Sequence, residues 1–147
     1  MQRNVRLAEL SDIEELLSVI YQLSPKKEED EKVPKSALKD TLKVMLKNKD
    51  YRVAVYEYAG KIVGSATLLI QLNHSHGGRP YAHIENVVTD SNHRGIGVGK
   101  DLVNYLVSEA KKIKCYKIIL NCSQDNIPFY EKCDFVKTGE VEMRLDL

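Results

Sequence analysis

The chain has no long hydrophobic segment. No stretch of its 147 residues approaches the roughly 20 consecutive apolar residues that a membrane-spanning helix needs. The first residues, Met1 to Arg6, also lack the apolar core of a secretory signal peptide. We therefore expect a cytoplasmic protein that has no membrane partner.

An excess of charge of either sign is missing as well. The chain carries 22 basic and 21 acidic residues, so its formal net charge at pH 7 is only +1. Proteins that bind nucleic acid through its phosphates usually carry a clear positive excess. The balance argues against a general nucleic-acid-binding protein, and we expect no nucleic-acid partner.

Cysteine is scarce. Only Cys115, Cys122 and Cys133 occur, and their spacing matches no Cys-x-x-Cys metal-binding pattern. An odd number of cysteines without a signal peptide favours reduced thiols. We interpret the three as small, mostly buried apolar side chains with no catalytic role.

Three histidines raise the question of a metal site. His74, His76 and His83 lie close together in the sequence, but Glu85 is the one acidic residue near them and no cysteine accompanies them. Zinc sites in proteins combine several such ligands at regular spacing. We therefore expect no metal, and we interpret His74 and His76 as part of a substrate-facing loop.

Apolar periodicity divides the chain into strands and helices. Ser11 and Glu14 match a capping box that opens the first helix, and the charged residues 26–32 predict a loop. Strands are predicted over 4–7, 51–58, 61–72, 81–89, 115–120, 135–136 and 141–145, and helices after Ser11, after Pro34, over 100–112 and over 126–132. This order predicts one α/β (α+β) domain over residues 1–147, with a mixed sheet and helices on both faces.

The most informative stretch runs from His93 to Lys100 and contains glycines at positions 95, 97 and 99. It follows the apolar strand pattern 82–88 and precedes the helical pattern 100–112. A glycine-rich turn between a strand and a helix can present backbone N–H groups to phosphate. The stretch therefore predicts a phosphorylated ligand.

Two common phosphate-binding motifs do not fit this turn. A P-loop needs serine or threonine after its lysine, but Asp101 follows Lys100, which leaves no hydroxyl for magnesium. The dinucleotide fingerprint G-x-G-x-x-G fails because the glycines are spaced Gly95-x-Gly97-x-Gly99. Nucleotide hydrolysis and dinucleotide binding are therefore disfavoured.

The pattern R-x-x-G-x-G, made by Arg94, Gly97 and Gly99, resembles the acyl-CoA-binding motif of the GNAT superfamily of N-acetyltransferases. A second segment, 126–135, resembles that family's N-x-x-x-[FY]-Y-[EK]-[KR]-x-G-[FY] pattern. Asp134 stands where the family usually has glycine. We predict that Asp134 takes a positive φ at a helix C-terminus, at a small cost in stability.

The resemblance covers nearly the whole chain and implies the acyl-CoA N-acyltransferase (GNAT) fold. That fold has a mixed, mostly antiparallel sheet of six to seven strands flanked by about four helices. The resemblance also implies acetyl-CoA as the co-substrate, no metal, and a homodimer. The residues expected to bind acetyl-CoA are Val87, Val88, Arg94, Gly95, Ile96, Gly97, Val98, Gly99, Lys100, Asn126, Phe129 and Tyr130.

By the same resemblance, the acetyl group passes directly to an amine in a ternary complex. Tyr130 is the candidate general acid that protonates the departing thiolate, and Glu85 is the candidate base, acting through a water. The backbone N–H of Val87 or Val88 would polarise the thioester carbonyl. Asn126 would contact the pantetheine arm, cap the last helix, or do both.

Within the superfamily, the segments 83–88, 115–120, 129–133 and 141–143 resemble the glucosamine-6-phosphate N-acetyltransferase family. Glu85, Asn86 and Asn121 fall at positions expected to bind the acceptor, but Asn86 replaces that family's aspartate and Asn121 its usual acidic residue. The expected acceptor is a small primary amine, with glucosamine 6-phosphate as the first candidate. Two alternatives stay open, namely acetylation of a protein N-terminus or lysine, and a non-catalytic acyl-CoA-binding module.

Overall fold

The computed structural model describes residues 2–23 and 34–147 of the chain, and over these residues the backbone forms five strands and four α-helices. The strands are β1 (Arg3–Leu7), β2 (Tyr51–Tyr58), β3 (Lys61–Gln71), β4 (Tyr81–Thr89) and β5 (Ile118–Ile119). The helices are α1 (Ile13–Ile20), α2 (Lys35–Lys47), α3 (Val98–Lys112) and α4 (Ile127–Glu131). The predicted order is confirmed from β1 to α4, while the predicted loop over 26–32 lies outside the described residues.

None of the four helices is both long enough and apolar enough to span a bilayer.

The five strands form one sheet in the order β1-β2-β3-β4-β5. Strands β1 to β4 run antiparallel to their neighbours, and β5 runs parallel to β4. The chain passes from β4 to β5 through α3, which is the helical crossover that parallel neighbours require. The prediction of a mixed, mostly antiparallel sheet is confirmed.

The prediction of six to seven strands is wrong, because the sheet of the described residues has five. The additional strands were expected over 135–136 and 141–145, where the chain has no regular secondary structure. Val141, Met143 and Leu145 are 82%, 90% and 83% exposed. Alternating apolar residues form a strand only where an edge completes their backbone hydrogen bonds and a core covers one side. In the single chain this C-terminal segment has neither.

Each face of the sheet carries its own hydrophobic core. Strand alternation directs Tyr56 of β2 toward α3, where it joins the buried cluster that contains Leu102 and Leu106. Val53 and Val55 point to the other face and belong to the cluster formed with α1 and α2. Strand β2 is therefore covered on both sides, which accounts for its unbroken run of apolar residues.

Helix α1 begins differently from the prediction, and the Ser11–Glu14 capping box is wrong. A box forms instead between Glu9 and Asp12, at the start of the 3-10 turn Leu10–Asp12 that leads into α1, where the Asp12 carboxylate accepts the Glu9 backbone N–H at 2.7 Å. Arg6 on β1 selects this pairing by donating two side-chain hydrogen bonds to Asp12, at 2.6 and 3.0 Å. A contact with the first strand thus holds the turn that leads into the helix.

Helices α3 and α4 end in the same way, with a non-glycine residue in the left-handed backbone region. Lys114 has φ 65° after α3, and Asp134 has φ 66° after α4. Beyond Asp134, the Phe135 N–H donates to the Tyr130 carbonyl at 3.1 Å. This is a Schellman cap, whose left-handed position is usually filled by glycine. The predicted positive φ at Asp134 is confirmed.

Candidate active site

The glycine-rich stretch forms a tight turn between β4 and α3. A short 3-10 turn over Ser91–His93 leads into it, and Gly95 and Gly97 then take φ values of 79° and 95°. Residues with a Cβ rarely adopt such angles, so glycine suits both positions. Helix α3 begins directly afterwards at Val98, and Gly97 as its N-cap offers no side chain to bond the first N–H groups. The turn therefore leaves backbone donors at a helix N-terminus for a ligand.

A groove of about 660 Å³ lies beside this turn, within the usual range of ligand pockets of about 300–1,000 Å³. All the residues expected to bind acetyl-CoA line it, with the exception of Ile96. The lining residues are Gln22, Leu23, Val87, Val88, Thr89, Arg94, Gly95, Gly97, Val98, Gly99, Lys100, Asn126, Phe129, Tyr130 and Lys132. The fold thus gathers the end of α1, strand β4, the glycine turn and α4 around one space. A smaller cavity, about 180 Å³ at the end of α2, contains none of the predicted site residues.

Three cations surround the groove. Arg94 and Lys100 flank the glycine turn, and Lys132 follows α4. None of the three forms a salt bridge or a side-chain hydrogen bond with another residue in the described part of the chain. Unpaired cations beside a helix N-terminus are a typical environment for phosphate. The residues present therefore fit the pyrophosphate and phosphate groups of coenzyme A.

Helix α4 packs against the first turn of α3. A Cβ on Gly99 would lie 3.2 Å from Cζ of Phe129, closer than an ordinary contact, so glycine lets the two helices approach. Asn126 precedes α4 and lines the groove, but its side chain makes no capping hydrogen bond to the helix. The prediction that Asn126 caps the last helix is therefore wrong, and the contact with the ligand remains as its predicted role.

Tyr130 belongs to a small aromatic cluster on the wall of the groove. Its ring meets Phe129 edge-on at 4.9 Å and Phe135 at 6.1 Å between centroids. Burial raises the pKa of the Tyr130 phenol, and two nearby thiols and the carboxylate of Glu85 add to that rise. The phenol therefore stays protonated at neutral pH and can donate a proton into the groove.

A bulge interrupts β4 at Asn86. Ser65 of β3 pairs with Val88 and Thr67 pairs with Glu85, so β4 contains one residue more than β3 over this stretch. Asn86 takes φ 54°, and asparagine is among the few non-glycine residues that tolerate this region. Asn86, predicted to bind the acceptor, thus has a backbone role in forming the bulge.

Strands β4 and β5 separate just before the bulge. Their parallel ladder ends at the pair His83 and Ile119, and Glu85 and Asn121 each follow two residues later. Both residues are exposed, and the Glu85 carboxylate lies 3.9 Å from Nδ1 of His83. Glu85, Asn86 and Asn121 are not among the groove lining, although β4 continues directly into it. The predicted acceptor residues therefore lie together at the gap between the two strands, next to the groove.

The three histidines do not converge on one point. The His76 ring stacks on Tyr116 with centroids 4.0 Å apart, whereas His83 lies beside Glu85 and the ring of Tyr81. No group of three or more potential metal ligands occurs within residues 2–23 and 34–147. The stack with Tyr116 instead attaches the loop after β3 to the segment just before β5.

Comparison with known proteins agrees with this geometry. Residues 10–135 match the model of the acetyltransferase (GNAT) family. The chain belongs to this family. The glycine turn, the bulged fourth strand and the residues that line the groove all lie within the matched range.

Two relatives carry the name glucosamine 6-phosphate N-acetyltransferase. One, from Trypanosoma brucei brucei, is 46% identical over 96 residues, which is 65% of this chain and 65% of that protein's length. Another, named glucosamine 6-phosphate N-acetyltransferase 1, comes from Oryza sativa subsp. japonica. It is 32% identical over 144 residues, which is 96% of this chain and 85% of the relative. The crystal structure of glucosamine-6-phosphate N-acetyltransferase from Arabidopsis thaliana superposes with a TM-score of 0.85 at 28% identity, and 99% of each chain is covered.

Four residues that line the groove were not predicted from the sequence, namely Gln22, Leu23, Thr89 and Lys132. Thr89 directly follows Val88 and Lys132 lies two residues after Tyr130, so closeness in sequence to predicted site residues was a usable signal. Gln22 and Leu23 had none, because they reach the groove only through the packing of α1 on the sheet.

Proposed function

We propose that the chain is an acetyl-CoA-dependent N-acetyltransferase that transfers the acetyl group directly to the primary amine of a small acceptor. One observation carries this proposal: a groove that joins an uncapped helix N-terminus and three unpaired cations to the protonated phenol of Tyr130. Phosphate-binding groups and a proton donor in one groove fit a donor molecule that carries phosphates and leaves as a thiolate.

On the donor side, Arg94, Lys100 and the first N–H groups of α3 would bind the phosphates of acetyl-CoA. Val87 and Val88 line the groove next to the bulge at Asn86, where β4 leaves regular pairing. Their backbone N–H groups are the candidate donors to the thioester carbonyl oxygen, on which negative charge develops during attack.

On the leaving-group side, Tyr130 would donate its phenolic proton to the sulfur as the carbon–sulfur bond breaks. The rise of its pKa by burial supports this role, since the phenol keeps its proton until the thiolate forms. Its ring is positioned by Phe129 and Phe135, so the hydroxyl is presented by a rigid support.

On the acceptor side, Glu85 would remove a proton from the amine, through a water, as nitrogen attacks the thioester carbon. Its exposed carboxylate lies at the gap between β4 and β5, and it is close enough to Tyr130 to contribute to the raised pKa of the phenol. Acid and base thus lie next to the same groove.

Glucosamine 6-phosphate is the first acceptor to test, because relatives that match much of this chain are named glucosamine 6-phosphate N-acetyltransferase. Asn86 and Asn121 depart from the acidic residues expected at these positions. The positive φ of Asn86 supports the view that the bulge, rather than a charge, is what this position must provide. Asn121 then offers an amide where a carboxylate was expected, which favours a hydrogen bond over an ion pair with the acceptor.

We also propose a homodimer. The segment 141–147 alternates apolar and charged residues, and its apolar members are more than 80% exposed in the single chain. Pairing of this segment with a second copy would bury that apolar face and complete its backbone hydrogen bonds. Light scattering should then give about twice 16.7 kDa, while a monomeric mass would contradict this part of the proposal. The cytoplasmic location stays a prediction.

The experiment that tests the function measures thiol release from acetyl-CoA in the presence of amino sugars and their phosphates, polyamines, aminoglycosides and peptides. Acetylation of a small amine, identified by product mass, supports the proposal. Turnover only with peptides would identify a protein acetyltransferase. Binding of CoA without turnover on any amine would identify a non-catalytic acyl-CoA-binding module.

A further inference from the structure

Gln22, one residue beyond the C-cap of α1, reaches across to the start of the glycine turn. Its amide Nε2 donates to Oδ1 of Asp90 at 2.9 Å, and its Oε1 accepts the backbone N–H of Ser91 at 3.0 Å. Both functional groups of the one side chain are thus used on two consecutive residues. The contact joins segments 68 residues apart in sequence.

Asp90 is the point at which the turn leaves the sheet. Its backbone N–H donates to the Val63 carbonyl at 2.8 Å, which ties it to β3. Its Oδ2 accepts the backbone N–H of Asn92 at 3.1 Å and makes a 2.7 Å hydrogen bond with Nδ1 of His93. Gln22 occupies the other oxygen, so both oxygens of the carboxylate have partners.

The hydrogen bonds of Gln22 and His93 lower the pKa of the Asp90 carboxyl, the one to Gln22 having the larger effect. The carboxylate is therefore ionised at neutral pH and acts only as an acceptor. A donor must face each of its oxygens, and the amide of Gln22 provides one of them.

The turn that begins at Asp90 needs such an anchor. Gly95 and Gly97 have greater backbone freedom than other residues, and that freedom must be lost when the turn takes one conformation. The exit of the turn is fixed by α3. Its entrance is fixed by Asp90, and Gln22 is the side chain that connects this entrance to a different layer of the fold.

We propose that Gln22 is a positioning residue of the donor site, which holds Asp90 and Ser91 so that the glycine turn presents its N–H groups and Arg94 to the acetyl-CoA phosphates. The inference rests on the proposed function for the identity of the ligand. By this inference the end of α1, which also lines the groove, contributes to donor affinity although it lies outside the glycine motif.

The test uses Gln22→Ala, Gln22→Glu and the exchanged pair Gln22→Glu/Asp90→Asn, with Gln2→Ala as a matched control on an exposed glutamine. The single Gln22→Glu change places a second carboxylate beside that of Asp90, so that the two negative charges repel each other. The exchanged pair restores both hydrogen bonds of position 22. The new amide at 90 donates to the new carboxylate at 22, which reverses the first bond, and the Ser91 N–H donates to the other carboxylate oxygen as it did to the natural amide. The exchange also keeps the net charge of the natural pair.

Two measurements are made on each folded variant. Calorimetry gives the Kd of CoA, and hydrogen–deuterium exchange of the ligand-free protein reports on the amides of Ser91 and Asn92. Loss of a hydrogen bond changes an equilibrium by about twofold to tenfold. We expect Gln22→Ala to weaken CoA binding and raise the KM for acetyl-CoA by about threefold to tenfold, with kcat at saturating donor within about twofold. The Ser91 amide should exchange faster.

Gln22→Glu should lose more affinity than Gln22→Ala, and the exchanged pair should return to within about twofold of the natural protein. Unchanged CoA affinity in Gln22→Ala, or an exchanged pair no better than Gln22→Glu, would overturn the inference. A natural protein that fails to bind CoA would instead overturn the proposed function, and the exchange data would still report whether Gln22 holds the turn.

Discussion

Replacing Tyr130 by phenylalanine removes one hydroxyl from the groove and leaves the aromatic cluster in place. The hydroxyl makes no hydrogen bond to another described residue, and the ring contacts with Phe129 and Phe135 are retained. We therefore expect the free energy of unfolding to change by less than about 0.5 kcal/mol. Any large effect on turnover then reports on chemistry rather than folding.

The expected loss follows from the setting of the phenol. General acid catalysis contributes about 10²- to 10⁴-fold in rate. Tyr130 is only half-buried, so water can take over part of the proton transfer, and we expect about a 10²-fold lower kcat, or about 2.7 kcal/mol. Because its pKa is raised, the rate of the natural protein should fall only at strongly alkaline pH, and this alkaline limb should be missing in the variant.

The assay is thiol release under saturating acetyl-CoA across pH, together with the Kd of CoA. Tyr105→Phe is the matched control, because it removes a phenolic hydroxyl from α3 outside the groove. It should behave like the natural protein. A Tyr130→Phe variant whose turnover stays within twofold of the control would refute the role of general acid.

Glu85→Gln should lower kcat/KM by about 10²-fold; a value within about twofold of that of the natural protein would rule out Glu85 as the base. Asp134→Gly should stabilise the fold by about 0.5–1 kcal/mol in urea unfolding, because relief of the left-handed strain exceeds the entropy cost of glycine. A destabilised variant would contradict that. Asp12→Asn should cost about 1–3 kcal/mol at pH 7. Arg6 lowers the pKa of Asp12, so this stability is full above pH 3.8 and is lost as pH falls through the folded pKa. The two proteins should converge in acid; a constant difference would refute this.

Much of the sheet was predictable because its strands carry their own signals. The ranges 51–58 and 81–89 were predicted with the bounds that the structure has, since dense apolar and β-branched runs end there at turn residues. The glycine turn also carries its own signal, since closely spaced glycines mark a turn. Gly95 and Gly97 do take positive φ angles that few other residues adopt.

The errors arose where a distant partner decides the outcome. Ser11 with Glu14 and Glu9 with Asp12 offer similar local caps, and only the ion pair with Arg6 on β1 selects between them. The C-terminal alternation was a correct pattern for a strand, but a strand also needs a neighbouring edge. Gln22 carries no local signal at all, because its role depends on a contact 68 residues away.

A crystal structure of the chain grown with acetyl-CoA would show where the donor binds. The proposed donor site predicts the pyrophosphate on the N–H groups between Gly95 and Lys100, with Arg94 alongside and the thioester sulfur within hydrogen-bond distance of the Tyr130 hydroxyl. Phosphates bound elsewhere, or a sulfur remote from Tyr130 with the turn unoccupied, would contradict it.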